Sequence, residues 1–581
     1  MRRLQSGSFL LRLLPLAMVV AACAPGATPT TPTGSTDRSG GAREPKTLTI
    51  ATPAEPGNIA LPSMGDVPTG SAGGLDLKLA LHHRLATYDE RGNLLPMLAR
   101  DLPARDRGTW VLRPDGTMQT TYTLRPNASW HDGTPLTARD FAFAWTVTTD
   151  PDIPLSGRIG SLIGRIDTPD DHTLVMEWAN TYPFANALVD DAMAPLPVHL
   201  LEATYRSDKD RFQQLGYWTR EFVGTGPFRL AQWEPGSHIT AQAYDGFYGG
   251  RAKVDTLVFR FIVDEGTAIA NLLSGAVDGA LARTLDFESA VQVRDDWLRS
   301  GKKPLFIGQT THWRLLEAQL RPDMARPTDI LDVRVRRGLL HALDRQALVD
   351  ALLAGSAPPS DSFIPPDDAK WEWVKDATAT YPHDPRRAQE LFTEVGWRRA
   401  PNGTFAYANG EPVSIPIWTR PGGDAPKELA IMADNWKSAG ATPDQVILSV
   451  GQARDNQVLA TFPGFATSSN PLSFENTLNV LYGQLCPTEQ TRWNGRNHGC
   501  YQNPRMDQII DSLKSAIDPP DQQRGWREMV QIYTEELPVL PLYFVVQVMV
   551  FRDGVSGVRG DTRPRTAPTW NAHEWDVTNA I

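Results

Sequence analysis

The chain has 581 residues and a formal net charge of −10, with 41% hydrophobic and 21% charged residues. These fractions are ordinary for a globular protein, but a body of roughly 540 residues is too long for one hydrophobic core, so we expect two or three domains. The acidic balance and the absence of clustered Lys and Arg argue against nucleic acid as a partner, since phosphate backbones call for such clusters.

The N-terminus predicts an export signal. Arg2 and Arg3 precede an apolar run from about Phe9 to Ala22, which is shorter than the ~20 apolar residues that span a bilayer. We therefore predict that residues 1–22 are a signal peptide.

The segment around Cys23 indicates where the exported protein is located. Val20-Ala21-Ala22-Cys23 resembles the bacterial lipobox, which implies that Cys23 is lipidated and becomes the mature N-terminus. The alternative is an ordinary signal peptide with a chance cysteine. Residues 24–45 are rich in Pro, Thr, Gly and Ser and predict a disordered tether. We expect an extracytoplasmic protein, at the cell surface or in the periplasm, that the lipid anchors to the membrane.

Strand-like and helical stretches then alternate in irregular order, which is typical of an α/β fold with several sheets. The predicted strands are Thr47–Thr52, Thr120–Leu124, His172–Trp178, the hairpin Gly226–Trp233 with Ile239–Ala243, Thr256–Ile262 and Val539–Phe551. The predicted helices are Thr137–Thr149, Glu265–Ser274, Val333–Leu353, Pro385–Val395, Lys427–Ala439, Pro504–Ala516 and Asp521–Glu536.

Two cysteines remain besides Cys23. Cys486 and Cys500 are an even pair in a chain that we expect to be exported, and we favour a disulfide between them. Two buried free thiols, or half of a metal site supplemented by His498, are the rival interpretations. A zinc site would need closer spacing and more ligands.

Three blocks of sequence resemble one known family. They are Thr123–Asp140 (TLRPNASWHDGTPLTARD), Val223–Phe228 (VGTGPF) with the later Leu272–Asp278 (LLSGAVD), and Asp332–Arg345 (DVRVRRGLLHALDR). Their order and spacing are similar to those of the family 5 extracellular solute-binding proteins. This is the oligopeptide-, dipeptide- and nickel-binding group that serves ABC importers.

The resemblance implies a periplasmic-binding-protein fold of type II, with three lobes around a ligand cleft and a hinge. We expect lobe I to comprise residues 46–80, 224–303 and 537–581, lobe II residues 81–223, and lobe III residues 304–536. Residues 224–227 (GTGP) predict the crossover back to lobe I. We expect His131 to bond to nearby backbone in its turn rather than to act as a base or a metal ligand.

The implied function is capture of a solute by closure of the lobes and delivery to the permease subunits of an ABC importer. We expect a monomer with no catalytic residue, no metal and no cofactor. The runner-up is a secreted hydrolase: the sequence has no G-x-S-x-G, no H-E-x-x-H and no zinc spacing, but a glycosidase-type carboxylate pair stays open. A third possibility is a receptor that senses the solute without transport.

The ligand is less determined than the family. Peptide-binding members carry an Asp in a motif like W-x-A-D-x-x-x-P-x-x-F, where it grips the peptide α-ammonium. The matching stretch here is Gly464–Phe474 (GFATSSNPLSF), in which Thr467 stands in place of that Asp. Glu55 matches another family position near the ligand. The remaining candidates for the cleft are the aromatic residues Trp418, Phe465 and Trp493. A peptide is the favoured ligand, with an oligosaccharide or another polar solute as the alternative.

Overall fold

The computed structural model describes residues 44–59, 74–153, 158–189, 193–560 and 567–578. Helices and strands alternate irregularly in these ranges, as the α/β prediction requires. The α-helices are α1 (Gly74–Leu81), α2 (Ala138–Thr148), α3 (Arg158–Leu162), α4 (Val198–Ser207), α5 (Lys209–Gln213), α6 (Glu265–Ser274), α7 (Phe287–Arg299), α8 (Val333–His341), α9 (Arg345–Leu353), α10 (Trp371–Val374), α11 (Pro385–Glu394), α12 (Ala425–Ser438), α13 (Asn456–Ala460), α14 (Phe474–Leu481), α15 (Pro504–Leu513) and α16 (Pro519–Glu536).

The strands differ widely in length, from two residues to fourteen. They are β1 (Thr47–Thr52), β2 (Ala86–Tyr88), β3 (Leu94–Pro96), β4 (Ala99–Asp101), β5 (Trp110–Leu112), β6 (Met118–Leu124), β7 (Ile163–Asp170), β8 (Thr173–Trp178), β9 (Phe228–Glu234), β10 (His238–Ala243), β11 (Thr256–Phe261), β12 (Gly279–Ala280), β13 (Leu305–Ala318), β14 (Arg398–Arg399), β15 (Phe405–Ala406), β16 (Ser414–Thr419), β17 (Thr442–Ile447), β18 (Phe465–Pro471), β19 (Val539–Phe551), β20 (Val555–Ser556) and β21 (Asp576–Val577).

One ten-stranded sheet carries nearly half of these strands, in the order β17-β16-β18-β13-β19-β12-β1-β11-β10-β9. β1 pairs in parallel with β11 and β12, and β16 pairs in parallel with β17 and β18. The remaining pairs, including β13 with its two neighbours, are antiparallel. Strands from all three predicted pieces of lobe I thus lie side by side at one end of the sheet, and strands of lobe III form the other end.

The two longest strands connect these ends. β13 and β19 pair antiparallel from Leu305 opposite Phe551 to Glu317 opposite Val539, a length of about 40 Å at 3.3 Å per residue. The predicted limits between lobes I and III fall just before these strands. In the sheet, β13 lies next to the lobe III strands and β19 next to the lobe I strands. The lobe limits stay a prediction, with β13 and β19 as the continuous link.

Lobe II has a sheet and a core of its own. Its five strands are ordered β4-β6-β8-β7, with β5 also pairing with β6. Alternate residues of β6 are buried, as expected for an antiparallel strand with one face on a core. That core contains Tyr122, Trp130, Phe141 and Trp178, each at most 1% exposed.

One carboxylate, that of Asp140, holds the start of α2 in place after β6. Asp140 at N3 of α2 accepts hydrogen bonds from the backbone N–H of Thr137, at 2.8 Å, and of Val198, at 3.0 Å. This completes a capping box with Thr137 as N-cap. Burial raises the pKa of Asp140, and these donors oppose that effect.

Several element predictions are confirmed residue for residue, namely β1, α6 and β19. The single helix predicted over Val333–Leu353 is wrong, because α8 ends at His341 and α9 begins at Arg345. Asp344 caps α9 by accepting from the Ala347 N–H at 2.9 Å, while its own N–H donates to Asn435 at 2.6 Å. An Asp bonded in this way favours a new helix start over a continuous helix.

Candidate functional site

A cavity of about 390 Å³ in the described part of the chain is lined by residues of the predicted lobes II and III. The lobe II wall comes from the turn between β2 and β3 and from the segment 182–189. The lobe III wall comes from the loop 363–370, the start of α14 and Trp526 of α16. Cavities of about 300–1,000 Å³ are typical of sites for small organic ligands.

Aromatic rings join the two walls. Phe184 of lobe II meets Phe474 of lobe III edge to face, with ring centroids 4.8 Å apart, and Phe474 in turn meets Trp526 at 5.7 Å. The ammonium of Lys370 lies over the Trp526 ring at 5.6 Å. Rings of this kind can contact the apolar part of a bound molecule over a large area.

Phe474 owes its position to a short strand-to-helix connection. β18 ends at Pro471, and the hydroxyl of Ser473 then caps α14 by accepting from the Asn476 N–H at 3.2 Å. Ser is a favoured N-cap because its side chain satisfies a backbone donor that the helix leaves free. Phe474 is therefore the first residue of α14 and Glu475 the second, and both line the cavity.

A second, much smaller pocket of about 20 Å³ contains two of the predicted ligand residues, Trp418 and Thr467. The hydroxyls of Thr467 and Thr419 are bonded to each other at 2.7 Å, and Thr467 is 7% exposed. Beside them, Glu317 accepts from His498 at 2.9 Å, and the charge of Glu317 raises the pKa of His498. The polar side chains are therefore bonded within each pair, Thr467 to Thr419 and Glu317 to His498.

The disulfide loop supplies His498 to this pocket. Cys486 and Cys500 are bonded in the structure. The guanidinium of Arg321 donates to the carbonyl oxygens of Pro487 and His498, both at 2.7 Å. The crosslink and Arg321 together fix the loop that holds His498 against Glu317.

The other predicted ligand residues lie elsewhere. Glu55 accepts from Trp233 Nε1 at 2.6 Å and from the Gly236 N–H at 2.8 Å, so it fastens the β9–β10 hairpin to the loop after β1. Phe465 is fully buried against Trp436 in the lobe III core. Trp493 is half-buried in the disulfide loop, with φ at 59°. Cys23, the signal peptide and the tether up to residue 43 lie outside the described residues.

The crossover between lobes I and II is held by His131. Its Nδ1 accepts from the Gly224 N–H at 3.1 Å, so its Nε2 carries the proton and donates to the Gly226 carbonyl at 3.0 Å. These partners lie more than 90 residues away in sequence, rather than in its own turn. Burial lowers the pKa of His131 to about 4, which keeps this neutral form at physiological pH.

Glycine is required at this crossover because the two connections touch. The Gly226 N–H donates to the Leu81 carbonyl at 3.0 Å, and a Cβ at Gly226 would lie 2.6 Å from the Ala80 carbonyl oxygen. Any larger residue would push the two connections apart. The GTGP stretch and the histidine of the HDGTP stretch are thus two halves of one contact.

Phe184 and Trp526, which line the cavity, are not among the residues that the sequence predicts for the site. Phe474 lies within the quoted stretch that matches the family, and this match is the signal that points to it. No similar pattern marks Phe184 or Trp526, because each reaches the cavity from a different lobe or helix.

Within the described ranges, no helix combines the length and the apolar character needed to cross a bilayer. No group of three or more His, Cys, Asp or Glu side chains there is arranged to hold a metal ion.

Comparisons with known proteins agree on the fold and the family. Residues 104–483 match the family model described as bacterial extracellular solute-binding proteins, family 5 Middle. The oligopeptide-binding protein AppA of Bacillus subtilis is 21% identical over 495 residues, which cover 83% of this chain and 84% of AppA.

Two solved structures share this architecture. The oligopeptide-binding protein of Thermus thermophilus, complexed with a pentapeptide, is 21% identical with a TM-score of 0.65, over 91% of this chain and 96% of that one. NikZ of Campylobacter jejuni, in complex with Ni(L-His), is 20% identical with a TM-score of 0.66, over 91% and 99% of the two chains. The fold is therefore α/β and similar to periplasmic binding proteins of type II, and the chain belongs to the family 5 bacterial extracellular solute-binding proteins.

Proposed function

We propose that this chain captures a peptide, or an organic solute of similar size, in the cavity between lobes II and III and delivers it to the permease subunits of an ABC importer. The observation that carries the proposal is a cavity of about 390 Å³ with walls from two lobes. The peptide is supported by the names of two similar proteins, the oligopeptide-binding AppA and the Thermus thermophilus protein in complex with a pentapeptide.

Capture works by closure. The contact between Phe184 and Phe474 joins the two walls, so it forms only when lobes II and III are close. A ligand that contacts both walls binds this closed form better than an open one and shifts the population toward it. The importer would then recognise the closed surface. We expect no bond to be made or broken, and no catalytic residue, metal or cofactor to take part.

We further propose that the chain acts outside the cytoplasm as a monomer anchored through lipidated Cys23. Replacing Cys23 with Ser should release the protein from the membrane fraction without changing its thermal midpoint, because the predicted tether adds nothing to the fold. A variant that stays in the membrane fraction would contradict the anchor.

The function is tested by offering the detergent-solubilised full-length chain a pool of tripeptides and, separately, a pool of oligosaccharides. Native mass spectrometry should show peptide adducts, and small-angle scattering should show compaction at saturating peptide. Binding of oligosaccharides alone would overturn the peptide assignment. Release of cleaved products from either pool would favour the hydrolase.

A further inference from the structure

The charged residues of the cavity fall into two groups. Glu90 lies 3.8 Å from Arg559, and Asp368 is bonded to Lys370 at 2.8 Å. Arg91, Asp367 and Glu475 complete the charged lining. None of these last three side chains forms a hydrogen bond or an ion pair with another described residue. Burial raises the pKa of Asp89, but its hydrogen bonds with Asn93 outweigh burial and lower that pKa, and the charge of nearby Arg91 adds a smaller contribution in the same direction.

The unpaired charges are separated by sign. Arg91 lies in the turn between β2 and β3, on the lobe II wall, and it is exposed. Glu475 lies in the first turn of α14, on the lobe III wall. Asp367, also on the lobe III wall, is exposed. One wall therefore offers a cation and the other offers carboxylates.

Aromatic surface lies between the two signs. Phe184 projects from the lobe II wall and Phe474 from the lobe III wall, and their rings touch. Phe474 and Glu475 are neighbours in the same helical turn. A ligand that fits this lining carries a negative group at one end, a positive group at the other and an apolar part between them.

The position where peptide-binding relatives are expected to carry their clamp offers no charge. Thr467 is uncharged, its hydroxyl is bonded to Thr419, and the nearby carboxylate of Glu317 is bonded to His498. A ligand ammonium there would meet uncharged hydroxyls and a carboxylate that already binds His498. The carboxylate of Glu475 faces no such competition.

We propose that the ligand is a zwitterion whose carboxylate binds Arg91 and whose ammonium binds Glu475, so that its two charges bridge lobes II and III. This inference rests on the proposed function and names the groups that select the ligand. Each end forms a charge-assisted hydrogen bond to a different lobe. Closure is therefore stabilised most by a ligand that carries both charges.

The test uses one tripeptide, Ala-Phe-Ala, in three forms: with free termini, N-acetylated and C-amidated. Calorimetry is performed on the solubilised full-length chain. The free form should bind about tenfold more tightly than either blocked form, since each blocked end loses one charge-assisted bond.

Two variants assign each end. Glu475→Gln should weaken the free and amidated forms about tenfold and leave the acetylated form unchanged, because that form has no ammonium. Arg91→Gln should weaken the free and acetylated forms and leave the amidated form unchanged. Glu489→Gln in lobe III and Arg220→Gln in lobe II are matched controls, since both side chains are exposed and lie outside the cavity lining.

The outcomes separate this inference from the function on which it rests. If the peptides bind but the two variants weaken all three forms equally, or none, the charge assignment is overturned and the proposed function stands. If neither these peptides nor the tripeptide pool bind, both are overturned. An unchanged thermal midpoint of each variant shows that a loss of affinity is not a loss of fold.

Discussion

The two pockets of lobe III differ in what their polar groups bind. Around Thr467, the hydroxyls bond to each other and Glu317 bonds to His498, within a volume of about 20 Å³. In the cavity shared with lobe II, about 390 Å³ remains open, and three charged side chains form no hydrogen bond or ion pair with another described residue. Polar groups that satisfy one another stabilise a fold, whereas unpaired groups around an open volume can bind a ligand.

The largest effect that we expect from this contrast concerns the disulfide. Replacing both Cys486 and Cys500 with Ser should lower the free energy of unfolding by about 3 kcal/mol, because the crosslink closes a loop of about 15 residues in the unfolded chain. Urea unfolding measures this. Peptide affinity should stay within twofold of the wild type, and a large loss of affinity would place the ligand in the small pocket.

The next effect concerns the ion pair in the same pocket. Glu317→Gln should lower the free energy of unfolding by about 2 kcal/mol at pH 6, because a buried charge-assisted bond to His498 is lost. Only 5% of the Glu317 side chain and 17% of the His498 side chain are exposed, so solvent screens the pair little.

The pH dependence of this pair has a definite sign. The pKa of His498 is raised in the folded state, so its contribution is fully present below the unfolded value of about 6.5 and is lost as pH rises through the raised value. The difference between wild type and Glu317→Gln in urea should therefore shrink between pH 6 and pH 9. If the difference in unfolding free energy between the two proteins grows with pH, Glu317 does not raise the pKa of His498.

A smaller effect is expected in the large cavity between lobes II and III. Phe184→Ala should weaken peptide binding about fivefold, since an aromatic pair contributes about 0.5–1.5 kcal/mol and this one forms only in the closed state. Calorimetry measures the affinity. Tyr407→Ala is the control, because Tyr407 is a half-buried aromatic residue outside the cavity lining. Equal losses in both variants would remove the ring contact from the closure mechanism.

The smallest effect is expected at Thr467. Thr467→Asp should change the affinity for free-amine peptides by less than twofold, because the side chain is 7% exposed and points at Thr419 rather than into the large cavity. Thr467→Val, which removes the same hydrogen bond without adding charge, is the matched control and should cost about 1 kcal/mol of stability. A strong gain in affinity with Asp alone would move the ligand ammonium to the small pocket.

Local sequence signals predicted part of this fold, including β1, α6 and β19, but not β13, its longest strand. The glycine after α6 adopts a φ of 76°, and Thr137 with Asp140 starts α2 as a capping box. Both features depend on residues a few positions apart, so the sequence shows them directly. The break between α8 and α9 was harder to predict, because Asp344 reads as a polar residue on a helix until its bond to Asn435 is seen.

The family motifs predicted the fold class, but not the contact that the motif residues make. His131, Gly224 and Gly226 belong to two stretches that resemble motifs of the same family. Only the folded chain shows that the ring clamps this crossover, since the two stretches are more than 90 residues apart. A hydrogen bond between distant segments leaves no spacing pattern within either of them.

The sequence by itself determined the α/β class, the family and some of the helix and strand positions, because each depends on patterns within one segment. The tertiary structure alone decided which residues surround open space. Thr467 and Trp418 come together in a small pocket, Glu55 fastens a hairpin, and Phe465 lies in a core. The large cavity instead takes Phe184 from lobe II and Phe474 from lobe III. A cavity is made by surfaces that meet only after both lobes have folded, so no single stretch of sequence encodes it.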